Sequence, residues 1–384
     1  MINHNKIKIS ITFILIIIYI IIFFHIIFIF KKYMNDLKND SLLNNNIDIN
    51  NFVFNAHYGI LTKGIPKRIK TNPEISVVIP MMNVENYIHR TILSIQNQNF
   101  TNFEIIIIND NSIDYSYKIV KKLSDIDHRI KIINNTQSMG TLYSRSIGVL
   151  MSKGKYIFPI DSDDLFLVDD ILFSVLNEFK KNKIDMIKFR GIHASSINDF
   201  LNNKNLTIYR NRTLSNNIEY QPKIFNNSYR KCILWLTAII SALYKNVIDI
   251  YGKRYFKYHI SCVEDCIINF FIHKLAKSSE NFSKIGYLHI NRPTSSTRSE
   301  SALSIMKSRI YYLDLFFQNE IKLLNKLLAL KDLYKIIKSK NFILLMKDNK
   351  MKIFVKSMLK KIITDKYIPN LNKSSLTTYY NIFI

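Results

Sequence analysis

The first long apolar run, residues 9–30 (ISITFILIIIYIIIFFHIIFIF), contains no charged side chain over 22 positions. As a helix rising about 1.5 Å per residue it is long enough to cross the hydrocarbon of a bilayer. It runs straight into Lys31 and Lys32 without a small-residue cleavage site, which predicts an uncleaved transmembrane anchor behind a short tail, residues 1–8. Residues 31–72 turn polar and Asn-rich, as a stem or linker does. Ile/Val runs then alternate with helical patterns. Strands are predicted at EISVVIP (74–80), FEIIIIND (103–110), RIKIIN (129–134) and KYIFPI (155–160), and helices over 85–97, 114–123 and 141–151. Continuous apolar strands separated by helices predict an α/β domain over residues 73–300, its mostly parallel sheet flanked by helices on both faces. Residues 301–384 place Leu and Ile among Lys at helical spacing and read as a basic helical C-terminal extension.

Composition changes this picture little. A 48% hydrophobic chain of 384 residues can build a real core. Its net charge of +25 suggests an anionic partner. However, Lys is enriched everywhere together with Ile, Asn, Phe and Tyr, and no basic patch interleaved with aromatics appears, so nucleic acid is not an expected partner. Of the positive charge, 16 Lys/Arg against 5 Asp/Glu lie in residues 301–384, as a solvated helix face or a membrane-facing one. The three cysteines, Cys232, Cys262 and Cys266, form neither a disulfide framework nor a C-x-x-C pair. Sequons such as those at Asn205, Asn211 and Asn281 arise easily in so Asn-rich a chain.

The chemistry gathers where strands end. In open α/β sheets ligands bind beyond the carboxyl ends of the strands, and three polar clusters fall there: residues 80–85, 109–114 and 161–164. Asp161 and Asp163, two apart at a strand end, can share a face. Paired carboxylates suit a hard cation, Mn2+ or Mg2+, that completes its shell with diphosphate oxygens and water. The alternative is that Asp163 or Asp164 caps a helix starting near Leu165. Asp110 is placed to accept from a base N–H. Arg145, in SMGTLYSRSIGV after Gly140, is either a cation for phosphate or carboxylate or a solvated helix residue. Glu264 and Asp265 open the helix CIINFFIHKL, where acids are favourable without any catalytic role. No P-loop, G-x-S-x-G or H-E-x-x-H occurs.

Taken in order, SVVIPMMNVENY, IIIINDNSID, SMGTLYSRSIG, YIFPIDSDD and HISCVEDCI resemble a family 2 glycosyltransferase of the GT-A fold, over residues 74–299. The resemblance implies that Pro80 and Glu85 border the nucleotide, that Asp110 meets the uracil edge, and that Asp161 lies near the ribose with Asp163 on the metal. It implies Asp265 as general base with Glu264 beside it. The stretch 287–299, with His289 and Arg292, is expected to fold over the donor diphosphate, whose departing charge these residues and Arg145 would neutralise. The activity implied is inverting transfer from a nucleotide sugar, a UDP-sugar, to a hydroxyl of a carbohydrate, lipid or protein acceptor. Anchor, stem and domain resemble the layout of single-pass Golgi or endoplasmic reticulum enzymes facing the lumen, with a cytosol-facing orientation left open. Asn109, Asn111 and Ser146 depart from the family pattern. Residues 192–230 resemble nothing placed and read as an inserted acceptor loop. Two rivals remain: a nucleotidyltransferase, which lacks here its Gly-rich loop after the first strand, and an inactive membrane-tethered GT-A-like binding module.

Overall fold

The computed structural model describes residues 47–66, 72–202, 206–209, 234, 236–260, 264–290, 302–319, 329–330, 333–365, 368, 376–377 and 380–381. The chain divides into two units, residues 1–51 and 52–384. Of the first, only the opening residues of helix α1 (Ile47–His57) are described. The expected span at 9–30 lies outside the described residues.

In the second unit the Ile runs form strands, as their spacing predicts. β1 (Ile75–Met81), β2 (Phe103–Asn109), β3 (Ile130–Asn134) and β4 (Tyr156–Pro159) pair in parallel in the order β3-β2-β1-β4. Helices α2 (Ile88–Gln96), α3 (Ser116–Ile126) and α4 (Thr141–Met151) connect them. Both faces are covered. Val78, Ile106 and Ile108 enter one core, while Ile75, Val77, Ile79, Ile105 and Ile107 enter the other. A strand buried on both faces has no polar side to alternate with, which is why these segments read as unbroken apolar runs.

The rest of the sheet departs from the expected mostly parallel arrangement. β5 (Leu165–Phe166), β6 (Met186–Ala194), β7 (Thr207–Tyr209), β8 (Thr237–Ile240) and β9 (Ser279–Ile290) extend it to nine strands in the order β3-β2-β1-β4-β8-β6-β9-β5, with β7 on β6. β4–β8, β6–β8, β6–β7 and β5–β9 are antiparallel, and only β6–β9 is parallel. The sheet is therefore mixed. Helix α5 (Ile171–Asn182) precedes β6, and α6 (Ile197–Leu201) follows it.

Two other segments join this body. In the stretch expected as stem, α1 buries Phe52, Val53 and Ala56, and Asn97 exchanges hydrogen bonds with Thr62 N and Ile60 O at 2.8 and 3.0 Å. Helices α7 (Ser241–Tyr255), α8 (Glu264–Leu275), α9 (Ala302–Asn319), α10 (Lys340–Leu345) and α11 (Asn349–Thr364) share one core. Tyr258 stacks on Tyr311 at 4.1 Å, and Tyr255 donates to the buried Asp314 at 2.9 Å, so α9 is part of the same body.

Candidate active site

One glycine brings a helix down onto the strand ends. A Cβ on Gly148 would lie 2.4 Å from Ile108 Cδ1 and 2.5 Å from Val78 Cγ1, so only glycine lets α4 approach β1 and β2 this closely. Arg145 stands three residues earlier on the same face. Its side chain is 1% exposed, which removes the solvated-residue alternative.

The guanidinium meets three carboxylates from two distant motifs. Arg145 Nη2 donates to Asp161 Oδ1 at 2.8 Å and lies 3.7 Å from Glu264 Oε1 and 3.9 Å from Asp265 Oδ1. Its Nε and Nη1 are buried without a hydrogen-bond partner, as is Asp265 Oδ1. Asp265 Oδ2 accepts from Leu234 N at 3.3 Å. One cation thus faces three acids. Burial and the charge of Asp265 push Glu264 well above the usual carboxylate range. Burial, helped by the charge of Asp161 and opposed by Arg145, raises Asp265 to about 6.

The turn after β4 is held from both sides. Thr91 Oγ1 donates to Ser162 O at 3.0 Å, and Arg90 to Asp163 O at 3.4 Å. Asp164 does not cap a helix: residues 165–166 are the short strand β5, paired with β9, and α5 begins only at Ile171. Its carboxylate, fully buried, instead accepts from Tyr287 Oη at 2.9 Å and Ile290 N at 3.0 Å, with His289 Nδ1 3.0 Å away. Burial alone would lower the His289 pKa, yet the Asp164 carboxylate raises it to about 9. His289 stacks on His193 with ring centroids 5.2 Å apart.

The other two clusters lace to one another. Asn83 N donates to Ser112 Oγ and Ile113 N to Asn83 Oδ1; Val84 N donates to Ser116 Oγ. Glu85 N donates to Asp114, and the Glu85 carboxylate accepts from Tyr115 N at 2.8 Å. Asn83 and Asn111 sit at φ 50° and 60°, a region where Asn is tolerated. Pro80 is buried within β1, opposite Ile108.

Residues 76–239 match the model of glycosyl transferase family 2. The matched segment runs from β1 into β8 and includes the Asp161 turn. A Haemophilus influenzae protein called an uncharacterized glycosyltransferase is 38% identical over 114 residues, 30% of this chain and 45% of that protein. Chondroitin synthase of Pasteurella multocida is 35% identical over 111 residues, 29% of this chain and 11% of its own. These matches span less than half the length of either relative. The crystal structure of S. aureus TarS 1–349 in complex with UDP-GlcNAc has a TM-score of 0.56 at 16% identity, covering 81% of this chain and 88% of that one, a likeness of fold.

The expected placement as a single-pass Golgi or endoplasmic reticulum protein is corrected. No helix among the described residues is long and apolar enough to cross a membrane, and these relatives are bacterial. Asp161, inside the matched segment, meets Arg145 and, through it, Glu264 and Asp265, which lie beyond it. Asp110 is differently engaged: its carboxylate accepts from Asn135 Nδ2, Ser138 Oγ, Met139 N and Gly140 N at 2.7–3.0 Å. Four donors fill a carboxylate's capacity, so Asp110 anchors the approach to α4. Arg292 lies outside the described residues. Tyr287 and Asp164 have a part that the sequence does not single out: it offers Tyr287 only as the start of the stretch 287–299 and Asp164 only as a helix cap. Their signal was a third acid in DSDD that no helix needed.

Proposed function

We propose that this chain is an inverting glycosyltransferase of GT-A type that transfers a sugar from a nucleotide-sugar donor, a UDP-sugar, to an acceptor hydroxyl. The observation that carries this reading is the meeting of the Asp161 turn with the Glu264–Asp265 pair across Arg145, within 2.8–3.9 Å. It sets a place for a phosphate-bound cation beside a carboxylate suited to take a proton. UDP-GlcNAc and UDP, bound by S. aureus TarS, support the donor class.

Asp265, raised to about 6 with one oxygen buried and without a hydrogen-bond partner, takes the proton of the attacking hydroxyl. Arg145, facing three carboxylates and 1% exposed, orients that acid and the Asp161 side chain instead of binding phosphate. His289, held as an imidazolium by Asp164, supplies positive charge at the same rim.

The donor set fits Mn2+ or Mg2+ when diphosphate is present. Asp161 keeps one carboxylate oxygen clear of Arg145 and is 30% exposed, with Asp163 two residues on. Asp161 and Asp163 would hold the ion, with diphosphate oxygens and water as its other ligands, as is usual for such ions beside one or two carboxylates. Held there, the ion would supply positive charge that lowers the cost of charge appearing on the leaving diphosphate.

Donor hydrolysis by the purified chain, screened over UDP- and GDP-sugars with and without Mn2+, tests this. Turnover of one donor, lost in Asp163→Ala and Asp265→Ala, is the expected result. Nucleotide binding without turnover of any donor would leave a binding module and overturn the transferase.

A further inference from the structure

The Asp161–Asp163 turn is fastened by a side chain from the far end of the sheet. Tyr287 is fully buried on β9, paired across to Phe166 of β5 and to Gly191 of β6. Gly191 sits close between Leu236 and Tyr287: a Cβ there would lie 2.7 Å from Leu236 Cδ2, 3.1 Å from Tyr287 O and 3.3 Å from Tyr287 Cβ. The Tyr287 ring meets Phe166 edge-on, with centroids 6.4 Å apart. This packing leaves the hydroxyl aimed at the turn, where it accepts from Asp161 N at 3.1 Å and donates to Asp164 Oδ2 at 2.9 Å. A phenol that accepts from one end of the turn and donates to the other closes it like a buckle. Asp164 is itself fixed by Ile290 N and His289, so the turn is tied to the end of β9 by three groups.

We propose that Tyr287, seated on Asp164, is a positioning residue that holds the Asp161–Asp163 turn in the shape that receives the donor diphosphate and its cation. This deepens the donor-site reading above and rests on it. Tyr287 touches neither donor nor acceptor in that reading. It acts by keeping the Asp161 backbone, and with it both carboxylates, in one arrangement. A packing role alone would be served as well by phenylalanine, because the ring fills the same volume. The hydroxyl is what distinguishes the two.

The decisive variant is Tyr287→Phe in the full chain, with calorimetric binding of UDP in the presence and absence of Mn2+. The expected result is unchanged UDP affinity without metal and a loss of about ten-fold or more in the metal-dependent gain. Hydrogen exchange at the Asp161 amide should rise while β1 and β2 stay protected. Should Tyr287→Phe fail to fold, Asp164→Asn, which keeps the shape but weakens the acceptor, is read by the metal-dependent gain and by exchange at the Asp161 amide alone, because it also removes the carboxylate that holds His289 charged. A metal-dependent gain equal to that of the unmodified chain overturns the proposal, as does unchanged exchange at Asp161. If the unmodified chain turns over no donor and binds no nucleotide, the donor-site reading fails; if it does both and Tyr287→Phe matches it, only the positioning role fails.

Discussion

Two buried arginines, sixteen positions apart in sequence, show how differently the same ion pair can be built. Arg129, 2% exposed, donates Nε and Nη2 to Asp127 at 3.0 and 2.8 Å, adds its own N–H at 3.1 Å, and lays its guanidinium over Phe103 at 4.3 Å. Gln96 Nε2 donates to the same carboxylate at 2.9 Å. One cation meets one anion with the lone pairs used. Arg145 makes a single short bond, to Asp161, leaves Nε and Nη1 without hydrogen-bond partners, and faces Glu264 and Asp265 as well. Charge and hydrogen bonds close at Arg129 and stay open at Arg145. A satisfied buried pair fixes a turn, whereas an unsatisfied one marks a place where a ligand's charge is missing.

The largest effect expected from this difference is on stability at the closed pair. Arg129→Met strands the buried Asp127 carboxylate at the C-terminal end of α3 and should cost about 3–5 kcal/mol in denaturant unfolding. Turnover per folded molecule should stay within about two-fold, since nothing at the strand ends moves. A folded Arg129→Met chain that had lost its activity would break the comparison.

Next comes the open pair. Arg145→Met should reduce donor turnover by about 10²–10³-fold, because the Asp161 turn and Asp265 lose their shared partner. Arg145→Lys, with a point charge in place of a planar fork, should recover only part. Initial rates with Mn2+ and the best donor decide this. Full activity in Arg145→Met would make the three-acid cluster structural.

How much of this was legible beforehand follows the range of the interactions. The four Ile-rich strands and α4 were read within a residue or two, because a doubly buried strand writes its burial into its own sequence. β6 and β9 were not. β6 mixes buried positions with half-buried Lys188, Arg190 and His193, and β9 opens with the mostly polar Ser279–Lys284 stretch, so neither writes a continuous apolar run. The two-residue β5 exists only by pairing with Leu288 and Tyr287, so DSDD followed by Leu165 resembled a helix start. Asp164 finds its partners 123 and 126 residues away, beyond any local pattern. The acids of the site were found as residues. That Arg145 joins them from within the core was hidden, although Gly148, one turn later on the same face, was the available hint of close approach.

The smallest effect is on pH dependence, and it runs in opposite directions at the two pairs. At Asp127 burial would raise the pKa, but the hydrogen bonds from Arg129 and Gln96 hold it below the usual carboxylate value. Its contribution to stability is therefore present above pH 3.8 and fades as pH falls through the lower folded value. At Asp265 burial, with the charge of Asp161, lifts the pKa from 3.8 to about 6. The folded state then holds that proton more tightly than the unfolded chain does. The stabilisation is complete below pH 3.8 and disappears as pH climbs through about 6. Between pH 4 and 7 the unmodified chain should lose on the order of 2 kcal/mol from this group, a loss deepened by Glu264, whose shift has the same sign. Asp265→Asn cannot ionise and should flatten that slope. At pH 7 it should be the more stable protein while being inactive, as expected when a site holds charge that its own fold does not balance. Denaturant unfolding of both chains at four pH values across this window measures it directly, and parallel curves would mean that Arg145 neutralises its acids as fully as Arg129 does.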